Sequence, residues 1–114
     1  MRVDGKIDYI DFPGQDLPAT KDFYEHAFGG TFTDYGPKYA AFDNGGVDGG
    51  FDSDGANFAA APLVVLLATD LEAMMARVTG AGGVITRPIF SFPGGRRFHF
   101  TDPSGNQLAV FNEN

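Results

Sequence analysis

Four short anchors mark this chain as two copies of one pattern. Asp16-Leu17 is answered by Asp70-Leu71 at an offset of 54, and Gly29-Gly30 by Gly82-Gly83 at an offset of 53. An acidic residue, a periodic apolar stretch and then a glycine pair together describe a helix with both ends marked. The carboxylate caps the first-turn amides, and glycine takes the left-handed backbone that closes the last turn. Between the anchors, Phe23, Tyr24, Ala27 and Phe28 share one helical face in the first copy, and Leu71, Met74, Met75 and Val78 do so in the second. Agreement of both anchors to within one residue of a common period indicates internal duplication and restricts the fold to those built from two like modules.

The strands follow the same grammar. In the first copy, residues 7–12 are strand formers, broken by Pro13-Gly14-Gln15. After the helix come three short strand patterns at 31–35, 39–43 and 47–51, parted by Gly36-Pro37 and Asn44-Gly45-Gly46. In the second copy a buried strand at 63–68 precedes the helix, and strands at 84–90, 96–101 and 106–111 follow it. Their turns are Pro93-Gly94-Gly95 and Asp102-Pro103-Ser104-Gly105. Each copy therefore reads as βαβββ. A four-stranded sheet with one helix is too small to bury its own apolar face, so the two modules are expected to pair. The expected class is α+β: a single domain over residues 1–114, with module one at 6–52, a Gly/Ala/Ser/Asp/Asn-rich linker at 53–62 and module two at 63–112. The modules would form a curved mixed sheet with a concave pocket, and the helices would lie on the outer face. With 12 Phe and no Trp, the core should be rich in phenylalanine.

Charge and composition exclude several function classes. A net charge of -7 opposes both nucleic acid and an anionic membrane, since each demands a basic footprint that eight Lys and Arg cannot supply. The absence of cysteine removes disulfides, thiolate nucleophiles and Cys-based zinc sites, leaving His, Asp and Glu as metal donors, with only two His in the chain. Met1-Arg2-Val3-Asp4-Gly5-Lys6 has no apolar signal core, and no apolar run reaches membrane-spanning length, so a cytoplasmic protein is expected. The segment from Asp43 to Gly55 is rich in Asp and Gly, but it lacks the spacing of a calcium loop that ends in a bidentate Glu. No phosphate loop, serine elbow or nucleotide fingerprint is present.

Several motifs together resemble the vicinal oxygen chelate superfamily, also called the glyoxalase, bleomycin resistance and dioxygenase superfamily, over essentially the whole chain. They are Asp16-Leu17 with Phe23-Tyr24 and Phe28-Gly29-Gly30, Asp70-Leu71 with Ala81-Gly82-Gly83, and the closing Thr101-Asp102-Pro103-Ser104-Gly105-Asn106. All of them set caps, turns and packing, so they speak to fold and not to chemistry. In metal-dependent members the resemblance implies ligands, typically His and Glu, from the first and last strands of each half. The corresponding positions here are Tyr9, Leu63 and Ala109, with the fourth near Gly49. None is an ordinary ligand, and a register shift that brought in Asp48 would add only one carboxylate. The expectation is no metal and no cofactor. The resemblance also implies a homodimer, in keeping with sheet edges that need cover.

Alternation along the strands gives the expected pocket lining. Tyr9 and Asp11, with Ile7, face inward in the first half. Leu63, Val65 and Leu67 form the floor, and Arg97, His99 and Thr101, with Gln107, Ala109 and Phe111, turn to the same side. Phe98, Phe100, Leu108 and Val110 then point to the helices. Phe92, Phe90 and Tyr39 are candidate walls whose parity the pattern leaves open. His99 reads either as a general acid or base aided by Asp11 or as a hydrogen-bonded strand histidine. Asp11 either meets a cationic ligand or imidazole, or ends at solvent or an arginine. Arg96-Arg97, after the turn, read as a solvated pair or as an anion clamp, while Tyr9 offers a hydroxyl and a stacking face. His26 belongs to the helix surface. The leading expectation is a metal-free protein that binds or sequesters a small molecule, by analogy with the bleomycin-resistance branch. The alternatives are a lyase or dioxygenase-type enzyme with non-standard ligands or metal-free acid-base chemistry, and a scaffold whose concave face is filled by its own side chains.

Overall fold

The computed structural model describes residues 3–43, 45–53 and 61–113. Most of the linker expected at 53–62, and Asn44 of the expected turn, lie outside the described residues. The elements run β1 (Ile7–Pro13), α1 (Leu17–Phe28), β2 (Phe32–Asp34), β3 (Tyr39–Phe42), β4 (Gly49–Asp52), β5 (Leu63–Leu67), α2 (Leu71–Gly80), β6 (Val84–Phe92), β7 (Gly95–Thr101) and β8 (Gln107–Asn112). The βαβββ pattern thus occurs twice, and the fold is α+β with mixed sheet. Two compact units emerge: Tyr9–Leu63, and Met1–Asp8 together with Val64–Asn114. No helix among the described residues is long and apolar enough to cross a membrane.

The strand order in the first unit is β2-β3-β4-β1 and in the second β6-β7-β8-β5, so the last strand of each copy lies beside the first. That pairing is parallel in both, Ile10 to Gly49 in one and Val65 to Ala109 in the other, while the remaining pairs are antiparallel hairpins. The duplication read from four anchors therefore extends to topology and strand direction.

The helix ends form as the anchors require. Asp16 accepts from the Ala19 amide at 3.1 Å and Asp70 from the Ala73 amide at 3.0 Å. At the far end of α1, Gly29 takes φ 70°, and the Gly29 and Gly30 amides donate to the Glu25 and Tyr24 carbonyls, so a left-handed glycine closes the last turn. In the second copy α2 stops at Gly80 and Ala81 caps it, so the glycine pair follows the cap instead of forming it.

Each unit has its own core. In the first, the rings of Phe12, Phe42, Phe51 and Tyr24 meet at centroid distances of 5.2 to 6.5 Å, fastening α1 to the sheet and bearing out a phenylalanine-rich interior. In the second, Ala68, Leu71, Phe98 and Val110 are fully buried, with Leu66, Met74, Met75, Val78, Ile85, Ile89 and Phe100 packed around them. Phe98 and Val110 thus point to α2, as alternation requires, and residues 97, 99, 109 and 111 take the opposite face of that sheet. The amino-terminal segment is fastened to the second unit: Gly5 donates to the Leu67 carbonyl at 2.7 Å, and the Thr69 amide donates to Asp4 at 2.8 Å.

Candidate functional site

In the second unit the strand register arranges the face opposite α2 in two rows. Val65, Ala109, His99 and Arg87 lie side by side across β5, β8, β7 and β6, and Leu67, Phe111, Arg97 and Phe90 form the next row. Rings frame this face. Phe90 meets His99 edge-on at 5.5 Å, and Phe92 lies 6.5 Å from both Phe90 and Phe111. The guanidinium of Arg87 stacks over Phe90 at 3.6 Å, and that of Arg97 stands 4.9 Å from Phe92 and 5.4 Å from Phe90.

His99 is the centre of the group. It is 4% exposed. The side-chain amide nitrogen of Gln107 lies 3.5 Å from His99 Nδ1, the outer limit of a hydrogen bond, so Gln107 donates and the imidazole proton sits on Nε2. That Nε2 is buried and has no hydrogen-bond partner among the described residues. Burial, followed by the positive charges of Arg97 and Arg87, pushes the imidazole pKa down to about 4. His99 is therefore neutral at pH 7 and presents an N–H donor, not a cation. The sign of its pH linkage is fixed. The unfolded chain takes up the proton near pH 6.5 and the folded chain only near pH 4, so stability falls as pH drops through that window. We expect urea denaturation between pH 7 and 4 to show this slope and His99→Phe to flatten it. An unchanged slope in the variant would contradict the placement of His99.

A separate polar group sits in the first unit. Tyr39 donates to Asp11 at 3.2 Å, and the Tyr9 and Tyr39 hydroxyls share a short hydrogen bond. Asp11 is 5% exposed, which removes the reading in which it ends at solvent. Burial pushes the Tyr9 phenol up to about 12, and burial together with the Asp11 charge raises Tyr39 further, so both phenols stay protonated as donors at neutral pH. Gly50 makes this chain possible, since a Cβ there would stand 2.6 Å from the Tyr39 hydroxyl and 2.7 Å from the Ala40 carbonyl.

Other expectations fared unevenly. Arg96 lies at the surface in a two-pronged pair with Glu72, at 2.7 and 3.2 Å. Arg97 is 4% exposed, so the solvated reading of the pair fails for it: strand alternation turns it inward among rings. Ile7, expected to join Tyr9 and Asp11, is exposed. His26 lies on the helix surface and bonds the Asp22 carbonyl at 2.7 Å. Asp43, in the Asp/Gly-rich stretch, accepts from Thr33. Tyr39, a candidate wall of open parity in the sequence, is the middle member of the Tyr9–Asp11 group, while Arg87 had no assigned place. Register shifts in β6 on either side of Arg87 break the alternation that would have placed it.

The four positions where metal-dependent relatives are implied to carry ligands do not fit a metal. Leu63 and Ala109 are fully buried and apolar, and Tyr9 is engaged with Tyr39. Gly49 has no room for any side chain, because a Cβ there would collide with the Ile10 carbonyl oxygen. Among the described residues, no three His, Asp or Glu side chains come together in a way that could hold an ion.

No protein of curated function matches the sequence significantly. Solved structures do match in fold. The NAD-dependent benzaldehyde dehydrogenase structure from Legionella pneumophila has a TM-score of 0.75 at 14% identity, covering 90% of this chain and 96% of that one. Methylmalonyl-CoA epimerase from Mycobacterium tuberculosis has a TM-score of 0.68 at 15% identity, covering 96% and 89%. A glyoxalase/bleomycin resistance protein/dioxygenase superfamily member from Vibrio splendidus 12B01 has a TM-score of 0.65 at 14% identity, covering 92% and 95%. At such identities the likeness is one of fold. The model of the Glyoxalase/Bleomycin resistance protein/Dioxygenase superfamily matches residues 6–110. Duplicated topology, helix anchors and this match agree, and the chain belongs to that superfamily.

Proposed function

We propose that this protein binds or sequesters a small amphipathic molecule without a resident metal, using the face of the second unit formed by Arg97, His99, Gln107, Phe92 and Phe111. Val65 extends its apolar floor. One observation carries the reading: the buried His99 Nε2, a donor with no acceptor among the described residues. A buried donor left unsatisfied costs about 1–3 kcal/mol, a deficit that a ligand acceptor would relieve. The surrounding rings supply apolar contact and the guanidiniums polar anchorage, a mixture suited to a compact organic ligand. Tyr9 and Asp11, joined through Tyr39, form a separate polar group in the first unit.

A second reading, a metal-free acid-base enzyme, draws on the hydrogen-bonded series from Tyr9 through Tyr39 to Asp11. Elevated phenol pKa values make these groups donors at neutral pH and poor bases. The two readings share a first test. Protein purified without chelator is expected to carry no stoichiometric divalent ion, and added Ni, Zn, Fe or Mn should leave its melting temperature unchanged. A thermal-shift screen of metabolites and antibiotics is expected to yield hits that raise the melting temperature of the parent and lose their effect in His99→Phe. A bound stoichiometric metal would sink the metal-free reading, and turnover of a hit would favour the enzyme.

A further inference from the structure

Which ligand chemistry this face accepts follows from what surrounds the His99 donor. Arg87 stands opposite His99 in the β6–β7 register and Arg97 lies two residues away on β7, so two guanidiniums flank one neutral imidazole. Both act on His99 in the same sense, against taking up a proton, which is the signature of a locally positive field. This runs against the chain as a whole, whose net charge is -7. Arg87 and Arg97 each make further interactions within the protein. What calls for a ligand is therefore His99 Nε2, unpartnered among the described residues, and the arginines set the sign of the field around it.

The rings supply the second constraint. Phe90, Phe92 and Phe111 succeed one another at 6.5 Å centroid spacings, with Phe90 edge-on to the imidazole. Flat apolar surface beside a buried donor matches a flat ligand that carries an acceptor at one end. An ammonium group placed beside two guanidiniums meets like-charge repulsion in a poorly solvated place, whereas a carboxylate meets an N–H donor and two cations. Resting on the small-molecule reading above, we infer that the face of Arg87, Arg97 and His99 takes an aromatic carboxylate, its anion accepting from His99 Nε2 and its ring lying against Phe90, Phe92 and Phe111.

The test uses the full chain and four small probes. Sodium benzoate, benzyl alcohol and benzylamine share one ring and differ in charge, and sodium acetate keeps the charge without the ring. Each is titrated while the imidazole resonances of His26 and His99 are followed by NMR, with the melting temperature measured in parallel. The expected result is that benzoate shifts His99 and not His26, and binds at least tenfold tighter than the alcohol or acetate, with benzylamine weaker still. His99→Phe, which keeps a ring of similar size, should lose at least tenfold in benzoate affinity. Arg87→Gln, at a half-buried position where folding is at less risk, should lose the preference for benzoate over the alcohol. Equal or tighter binding of benzylamine or benzyl alcohol at His99 overturns the anionic inference and leaves small-molecule binding standing. Equal binding of acetate overturns the requirement for a ring. Silence of His99 toward all four probes overturns the inference, and silence extended across the thermal-shift library overturns the parent reading too.

Discussion

Phe98→Ala is expected to lower the unfolding free energy by about 3–5 kcal/mol, the usual range when a buried Phe becomes Ala. Phe98 is fully buried and sits with Ala68, Leu71 and Val110 where the sheet of the second unit meets α2. Neither partner side can collapse easily into the space: β7 is held between β6 and β8, and Leu71 is fixed in the first turn of α2 by the Asp70 cap. The lost transfer energy and the residual cavity therefore add. In a chain of this size, a fall in melting temperature on the order of 15 °C should accompany the loss. Chemical denaturation of the two proteins side by side measures it. A change below about 1 kcal/mol would mean that the α2 face is not packed around this ring.

Gly49→Ala is expected to cost about 3 kcal/mol, the upper part of the overpacking range, because the obstacle is backbone. Gly49 faces Ile10 in the parallel β1–β4 pairing, and its new methyl would run into the Ile10 carbonyl oxygen. Relief requires β4 to move off β1, which disturbs the bond from the Ile10 amide to the Asp48 carbonyl at 3.0 Å. The same geometry governs any attempt to install a carboxylate there. Gly49→Glu should destabilise at least as much as Gly49→Ala and gain no affinity for Ni or Zn, as denaturation and metal titration would register. A stable Gly49→Glu protein that binds metal would show that the missing ligand is an accident of sequence and not a demand of the backbone.

Features carried by local chemistry were legible in the sequence. Asp16 and Asp70 cap helices because a carboxylate reaches amides only two or three residues on, and that relation is written in adjacent positions. The faces of β7 and β8 were legible because both strands alternate without interruption, which places His99 and Gln107 on one side and Phe98 on the other. Arg97 shows the limit of judging by residue type: a cation after a turn suggests solvent, yet the period of its strand puts it inside. β6 could not be read at all by alternation. Its two register shifts let Ile85 and Ile89 face the core while Arg87 and Phe90 face the other way. The bond from Tyr39 to Asp11 was illegible for a different reason. It depends on a neighbour on β4 that has no side chain, and such cross-strand room is not visible along one chain.

The bond from the Thr69 amide to Asp4 joins residues 65 positions apart. A ribosome releases Asp4, Gly5 and Lys6 long before Leu67 and Thr69 exist to receive them, so this edge of the second unit cannot close during early synthesis. A gene fragment cut at the boundary between the two repeats would lack these residues and leave the Leu67 backbone exposed. Splitting the protein into its halves therefore calls for a permuted design, with residues 3–8 carried along on the second piece.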